Sequence, residues 1–168
     1  MRSSNTGLLA VRALVNSEMR IRGEGRETLN LTNLLSDQYR TLVFYPSHDA
    51  VELDEELVMR ERTPIQLIVP DGTWRQTKKL LSRHQELKHV QRVKISAPNN
   101  STYQLRAQSR PEGMATLQAI ASGLRIIEGD LVAAQLMMLY QTKVERTLMG
   151  RGLLRKVESQ VGGKKNNQ

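Results

Sequence analysis

Three short apolar runs, each closed by a turn, frame the hydrophobic pattern of this chain. Thr41 to Tyr45 is rich in β-branched and aromatic residues and stops at Pro46-Ser47-His48-Asp49. Ile65 to Val69 is a second run, broken by Pro70-Asp71-Gly72. Val90 to Ile95 alternates apolar with polar residues and stops at Ala97-Pro98-Asn99-Asn100. Elsewhere the period is helical. Thr6 to Ser17 predicts a broadly apolar first helix with Asn5 or Thr6 as its cap. From Thr73 to about His84, the residues Trp74, Thr77, Lys78 and Leu81 share one helical face, and Asp71 or Thr73 offers an oxygen to the unpaired N–H groups of the first turn. Glu112 to Ile127 predicts a helix with Met114, Leu117, Ala121, Leu124 and Ile127 in register. Asp130 caps a last helix running past Met138 to Leu148, with Leu131, Ala134, Met138 and Val144 expected to face the core. Weaker signals predict an edge strand at Met19–Arg22 before the Gly23-Glu24-Gly25 turn, a short helix and loop over Leu29–Tyr39, and one or two helical turns within Ala50–Leu57.

Strands alternating with helices predict an α/β domain with a mostly parallel sheet flanked by helices. Residues 1–155 are expected to form it, with 156–168 as a basic flexible tail. If the strands are parallel, the polar segments that follow them share one sheet edge. These are Pro46–Asp49, Pro70–Trp74 and the long Ala97–Thr116 stretch, and the carboxyl edge is where open α/β sheets bind ligands.

Composition narrows the chemistry. With 168 residues the chain is long enough for one real core. It has no Cys, which excludes disulfides, zinc–thiolate sites and cysteine nucleophiles. No run reaches membrane-spanning length and the N-terminus lacks signal-peptide architecture, so a cytoplasmic location is expected. A net charge of +8, from 25 Lys and Arg against 17 Asp and Glu, points to a polyanionic partner, nucleic acid first. Six aromatic residues are too few for a single-strand stacking platform. No phosphate-cradling loop, glycine fingerprint, metal-binding histidine pair or serine elbow is present. His48, His84 and His89 are scattered and expected to be solvated. Spacing alone leaves Asp71 and Trp74 as either site residues or an ordinary capped turn with a core Trp.

An ordered set of motifs carries the reading further. Asp71-Gly72-Thr73-Trp74 matches the signature of the DTW-domain family. Asn5-Thr6-Gly7 resembles the family's N-T-G, and Tyr45-Pro46-Ser47-His48-Asp49-Ala50 its Y-P-x-x-x-A turn. Tyr103 to Gln108, Arg110 to Gly113 and Thr116 to Ala119 resemble its later blocks, so the likeness runs from about Asn5 to Leu139. The resemblance implies a SPOUT-like fold with a C-terminal trefoil knot. It also implies transfer of a 3-amino-3-carboxypropyl group from S-adenosylmethionine to N3 of a uridine in tRNA, without a metal. Asp71, Thr73 and Trp74 become the catalytic candidates. Ser47, Val69, Pro70, Ile95, Ser96, Gly113 and Thr116 are expected to line the S-adenosylmethionine pocket. Arg75, Lys78, Arg106 and Arg110 are expected to meet RNA, the last two alternatively holding the donor's carboxylate by a bidentate fork.

Two departures bear on activity. The family's cysteine-rich segment before N-T-G, to which the resemblance assigns zinc, has no counterpart here, so neither metal nor its RNA contact is expected. Gln118 stands where the family usually has Glu, removing a negative charge suited to holding a cationic part of the donor. The competing expectations are a SPOUT-like RNA methyltransferase using the same donor, an RNA-binding paralogue without catalysis, and a structural domain whose charge serves solubility.

Overall fold

The computed structural model describes residues 6–21, 29–96, 115–150 and residue 152. Four strands form one sheet: β1 (Arg40–Phe44), β2 (Val51–Glu52), β3 (Ile65–Ile68) and β4 (Gln91–Lys94), in the order β2-β4-β1-β3. Every pairing is parallel. β1 is central, with Leu42 opposite Leu67 of β3 and Phe44 opposite Val93 of β4. Among the described residues there are five α-helices: α1 (Gly7–Ala13), α2 (Glu55–Met59), α3 (Trp74–Arg83), α4 (Thr116–Ile127) and α5 (Asp130–Gly150).

Because side chains alternate across a strand, β1 feeds both faces of the sheet. Leu42 and Phe44 join Leu53, Leu57, Val93 and Ala119 on the face covered by α2 and α4. Val43 joins Leu31, Leu81 and Leu87 on the face covered by α3. Full burial of a Leu or Val stabilises by about 1.5–3 kcal/mol, so β1 anchors both cores. A third core, built from Ala10, Leu117, Ala121, Leu136, Tyr140 and Val144, lies where α1 and α5 pack on the far side of α4. α4 is therefore buried on two sides. It fits close to the sheet because Gly123 has no Cβ. One built there would stand 2.9 Å from Leu67 Cδ2.

Several expectations change in detail. No strand forms at 19–21, and α1 ends at Ala13, so Val15 is almost fully exposed. Ala50–Leu57 is not only helical: Val51–Glu52 is an edge strand on β4, and Asp54 then caps α2 by accepting from the Leu57 N–H. On α5 the buried positions are Ala133, Leu136, Tyr140 and Val144, whereas Leu131 and Met138 are largely exposed. The apolar stripe is thus rotated from the expected one, although Val144 lies in both. The turn at Gly23–Gly25, the Ala97–Met114 stretch and the 156–168 tail lie outside the described residues.

Candidate active site at the carboxyl edge of the sheet

Parallel strands bring their C-terminal ends to one edge. Across that edge stand, in sheet order, Glu52 ending β2, Ile95 and Ser96 after β4, Ser47 after β1, and Val69, Pro70 and Asp71 after β3. Two of the three polar segments are thereby brought together, and Thr116, at the described end of the third, joins them through Asp71.

Asp71 is exposed, and its Oδ1 accepts a hydrogen bond from the Thr116 hydroxyl at 2.6 Å. The two residues come from the β3–α3 turn and the first turn of α4, 45 residues apart. A hydroxyl donated to one oxygen fixes the plane of the carboxylate, and Oδ2 has no partner among the described residues. Thr73 is the N-cap of α3. Its Oγ1 accepts from the Gln76 N–H at 3.3 Å, and Gln76 Oε1 accepts from the Thr73 N–H at 2.9 Å, a reciprocal capping box. The Thr73 hydroxyl also donates to Gln76 Oε1 at 3.0 Å, so its observed bonds are local ones. Trp74 opens α3 half-buried, its ring tilted 52° against Tyr45 at a centroid distance of 6.0 Å. This pair bridges the ends of β3 and β1.

The end of β1 carries a second functional signal. Ser47 Oγ is buried without a hydrogen-bond partner among the described residues, an unusual state for a hydroxyl. The backbone here is tightly folded: the Ser47 N–H donates to the Tyr45 carbonyl and the Ala50 N–H to the Ser47 carbonyl. Asp49 then pins the turn to β4, accepting from Arg92 at 2.8 and 3.1 Å. The Ser47 hydroxyl lying beside it, outside bonding geometry, and the Arg92 guanidinium hold the Asp49 carboxyl down at about 2. His48 is solvated, as expected.

At the far side, Glu52 grips Ser96 twice, one carboxylate oxygen accepting from the Ser96 N–H at 2.6 Å and the other from its hydroxyl. Sequence reading missed Glu52, because a two-residue strand leaves no periodicity to detect. Gln118, at the third position of α4, is buried and accepts from the Ala115 N–H at 3.0 Å. That bond needs an acceptor oxygen and no charge, so Gln serves it as Glu would. His84 differs from expectation: it is buried, with Nδ1 3.0 Å from Glu86 Oε1, and this contact holds the Glu86 carboxyl below its usual range.

Arg75 and Lys78 lie exposed on α3 with Lys79 and Arg83, and none of the four is in an ion pair among the described residues. Gly113, Arg106 and Arg110 lie outside the described residues. Among the described residues no three His, Asp or Glu side chains gather as a metal site would require.

The edge suits a polar small molecule. It offers an orphaned hydroxyl at Ser47, strand-end backbone at Val69-Pro70 and Ile95-Ser96, and an exposed carboxylate held from one side. These features define an open parallel α/β domain with a candidate ligand site at the carboxyl edge of its sheet.

The chain belongs to the DTW domain family, whose model matches residues 1–148. It is 35% identical over 92 residues to tRNA-uridine aminocarboxypropyltransferase 2 of Drosophila melanogaster, covering 55% of this chain and 36% of that protein. The proteins of the same name from Macaca fascicularis and Mus musculus are 31% and 30% identical over 88 residues, covering 52% of this chain and 30% of each. The chain thus spans about a third of the length of the curated relatives it matches. No solved structure matches.

Proposed function

We propose that this protein transfers the 3-amino-3-carboxypropyl group of S-adenosylmethionine to N3 of a uridine in tRNA. The observation that carries the reading is Asp71. It is the carboxylate of the family signature, set at the ligand edge of the sheet with one oxygen held by Thr116 and the other turned to no partner among the described residues. The names of the relatives support the same reaction.

Uridine N3–H is a weak acid, so alkylation there needs its proton removed as the new bond forms. Asp71 Oδ2 accepts that proton. N3 then bonds to the γ-carbon of the aminocarboxypropyl chain, the carbon–sulfur bond breaks, and neutral 5′-methylthioadenosine leaves with the electron pair. The sulfonium supplies the leaving group. The protein's task is presentation: aiming the γ-carbon rather than the methyl at N3. Ser47, Val69, Pro70, Ile95, Ser96, Gly113 and Thr116 are the residues proposed to hold the donor. The Trp74–Tyr45 pair walls the pocket on the α3 side. Arg75, Lys78, Arg106 and Arg110 are proposed to hold RNA phosphates, Arg106 and Arg110 alternatively the donor carboxylate. The parallel sheet and the shared ligand edge are consistent with a SPOUT-like fold bearing a C-terminal trefoil knot, which we include in the proposal. A tRNA substrate is consistent with a cytoplasmic location.

The test is incubation with unmodified tRNA and S-adenosylmethionine, followed by mass spectrometry of nucleosides and by-product. Aminocarboxypropyl-uridine with methylthioadenosine is the expected result, and Asp71→Asn is expected to lower turnover by about 100-fold or more while donor binding persists. Methylated nucleoside with S-adenosylhomocysteine would make the protein a methyltransferase. Donor binding with no product on any tRNA would make it a binding paralogue.

A further inference from the structure

Thr6 precedes α1, yet its side chain makes no cap on that helix. It is buried, and its Oγ1 accepts from the Leu117 N–H at 3.2 Å, a bond joining residues 111 apart in the chain. Leu117 is the second residue of α4. In an ordinary helix that N–H is satisfied by the N-cap side chain. Here the N-cap is Ala115, which has no acceptor. Thr6 supplies the missing oxygen from another element.

The residue between Ala115 and Leu117 is Thr116, whose hydroxyl holds Asp71. The first turn of α4 is thus tied at three successive residues: Ala115 to Gln118, Thr116 to Asp71 and Leu117 to Thr6. Leu117 is fully buried, so water has no room to replace the Thr6 oxygen. Without that oxygen the N–H is left unsatisfied, and a first turn that frays to regain a partner carries the Thr116 hydroxyl away from Asp71.

We infer that Thr6 is a positioning residue for Asp71, acting through the first turn of α4 and the Thr116 hydroxyl. Its bearing on turnover rests on the proposed transferase reading. Its bearing on the carboxylate does not, and the experiment separates the two.

The variants are Thr6→Val, Thr6→Ser, Thr116→Val and the double variant Thr6→Val/Thr116→Val, in the full chain. Two quantities are read: the ¹³C resonance of the Asp71 carboxyl, and kcat and KM with S-adenosylmethionine and tRNA. Thr6→Val and Thr116→Val are expected to move the Asp71 resonance in the same direction. Thr6→Val should lower kcat by about 10- to 100-fold with the donor KM little changed, the scale of a displaced reacting group, whereas Thr116→Val, at a residue proposed to hold the donor, should lower kcat at least as far and raise the donor KM as well. Thr6→Ser should restore the wild-type resonance and kcat, and the double variant should be no worse than Thr116→Val, because both act on one contact. An unchanged Asp71 resonance in Thr6→Val, or losses that multiply in the double variant, overturns the inference. If Thr6→Val does not fold, Thr6→Ser decides: a folded Thr6→Ser with a displaced resonance overturns it, and a wild-type one supports it. Coupled resonances in a protein that makes no product sustain the positioning role and remove the transferase reading instead.

Discussion

Asp71-Gly72-Thr73-Trp74 divides its labour among four residues, and Asp71 alone of them presents a carboxylate oxygen with no partner among the described residues. A Cβ on Gly72 would meet Gln76 Cβ and Oε1 at 3.3 Å, so the glycine leaves room for the capping box that starts α3. Thr73→Ala removes the cap oxygen and is expected to lower stability by about 0.5–2 kcal/mol, measured by urea titration with an unchanged m-value. Thr73→Ser should recover most of it. If Thr73 acts only as a cap, the donor KM and kcat of Thr73→Ala, measured well below its melting temperature, stay near wild type. A large kcat loss would return Thr73 to the chemistry. The tetrapeptide was legible in the sequence as turn, cap and ring. The hydrogen bond between Asp71 and Thr116 was not, because it depends on how α4 returns to the sheet, a long-range choice that no local pattern encodes. Thr6 was legible as a helix cap and as part of the N-T-G motif, and the helix its side chain caps proved to be α4.

At the scale of elements, burial rather than periodicity decided the outcome. β1, β3 and β4 were readable because each is an apolar run bounded by turn residues, and their observed limits differ from the expected ones by one residue at most ends. β2 escaped because two residues carry no period, and Glu52 escaped with it. α5 misled because apolar residues surround much of it, so Leu131 and Met138 fit a stripe as well as Leu136 and Tyr140 do. Packing on α4 chose the second set. α4 itself, buried on two sides, is the element most sensitive to added volume. Gly123→Val would drive two methyl groups toward Leu67 at a position where a single Cβ already stands at 2.9 Å. We expect a loss of about 1–3 kcal/mol, read as a lowered urea midpoint. Gly123→Ala is milder, since about 1 kcal/mol of helix propensity offsets a displaced Leu67 terminus. Equal stability for Gly123→Val and wild type would contradict the close approach of α4 to the sheet.

For the molecule as a whole, two charge effects are separable. The first is acid stability. The Asp49 carboxyl falls from an ordinary 3.8 to about 2, and Glu86 is also lowered. Between about pH 4 and 2 the unfolded chain therefore binds more protons than the folded one, and stability falls as pH falls through that window. Asp49→Asn should flatten the lower part of the curve, and an unchanged acid limb would deny Arg92 its hold on the turn. The second effect is partner binding. The net charge of +8 does not by itself locate an interface, but α3 does. Its buried side carries Thr77 and Leu81, while Arg75, Lys78, Lys79 and Arg83 point outward from a helix that begins three residues after Asp71. A tRNA laid along that face would place phosphates on the four cations and a base near the carboxylate. Each phosphate contact releases counterions and adds up to about 0.9 to the slope of log K against log salt, somewhat less on single strands. The double variant Arg75→Ala/Lys78→Ala is expected to reduce that slope by about 1–2 and to raise the tRNA KM, leaving the donor KM unchanged. A slope unaltered by both substitutions would move the RNA off α3, and the remaining cations of the body would then have to carry it.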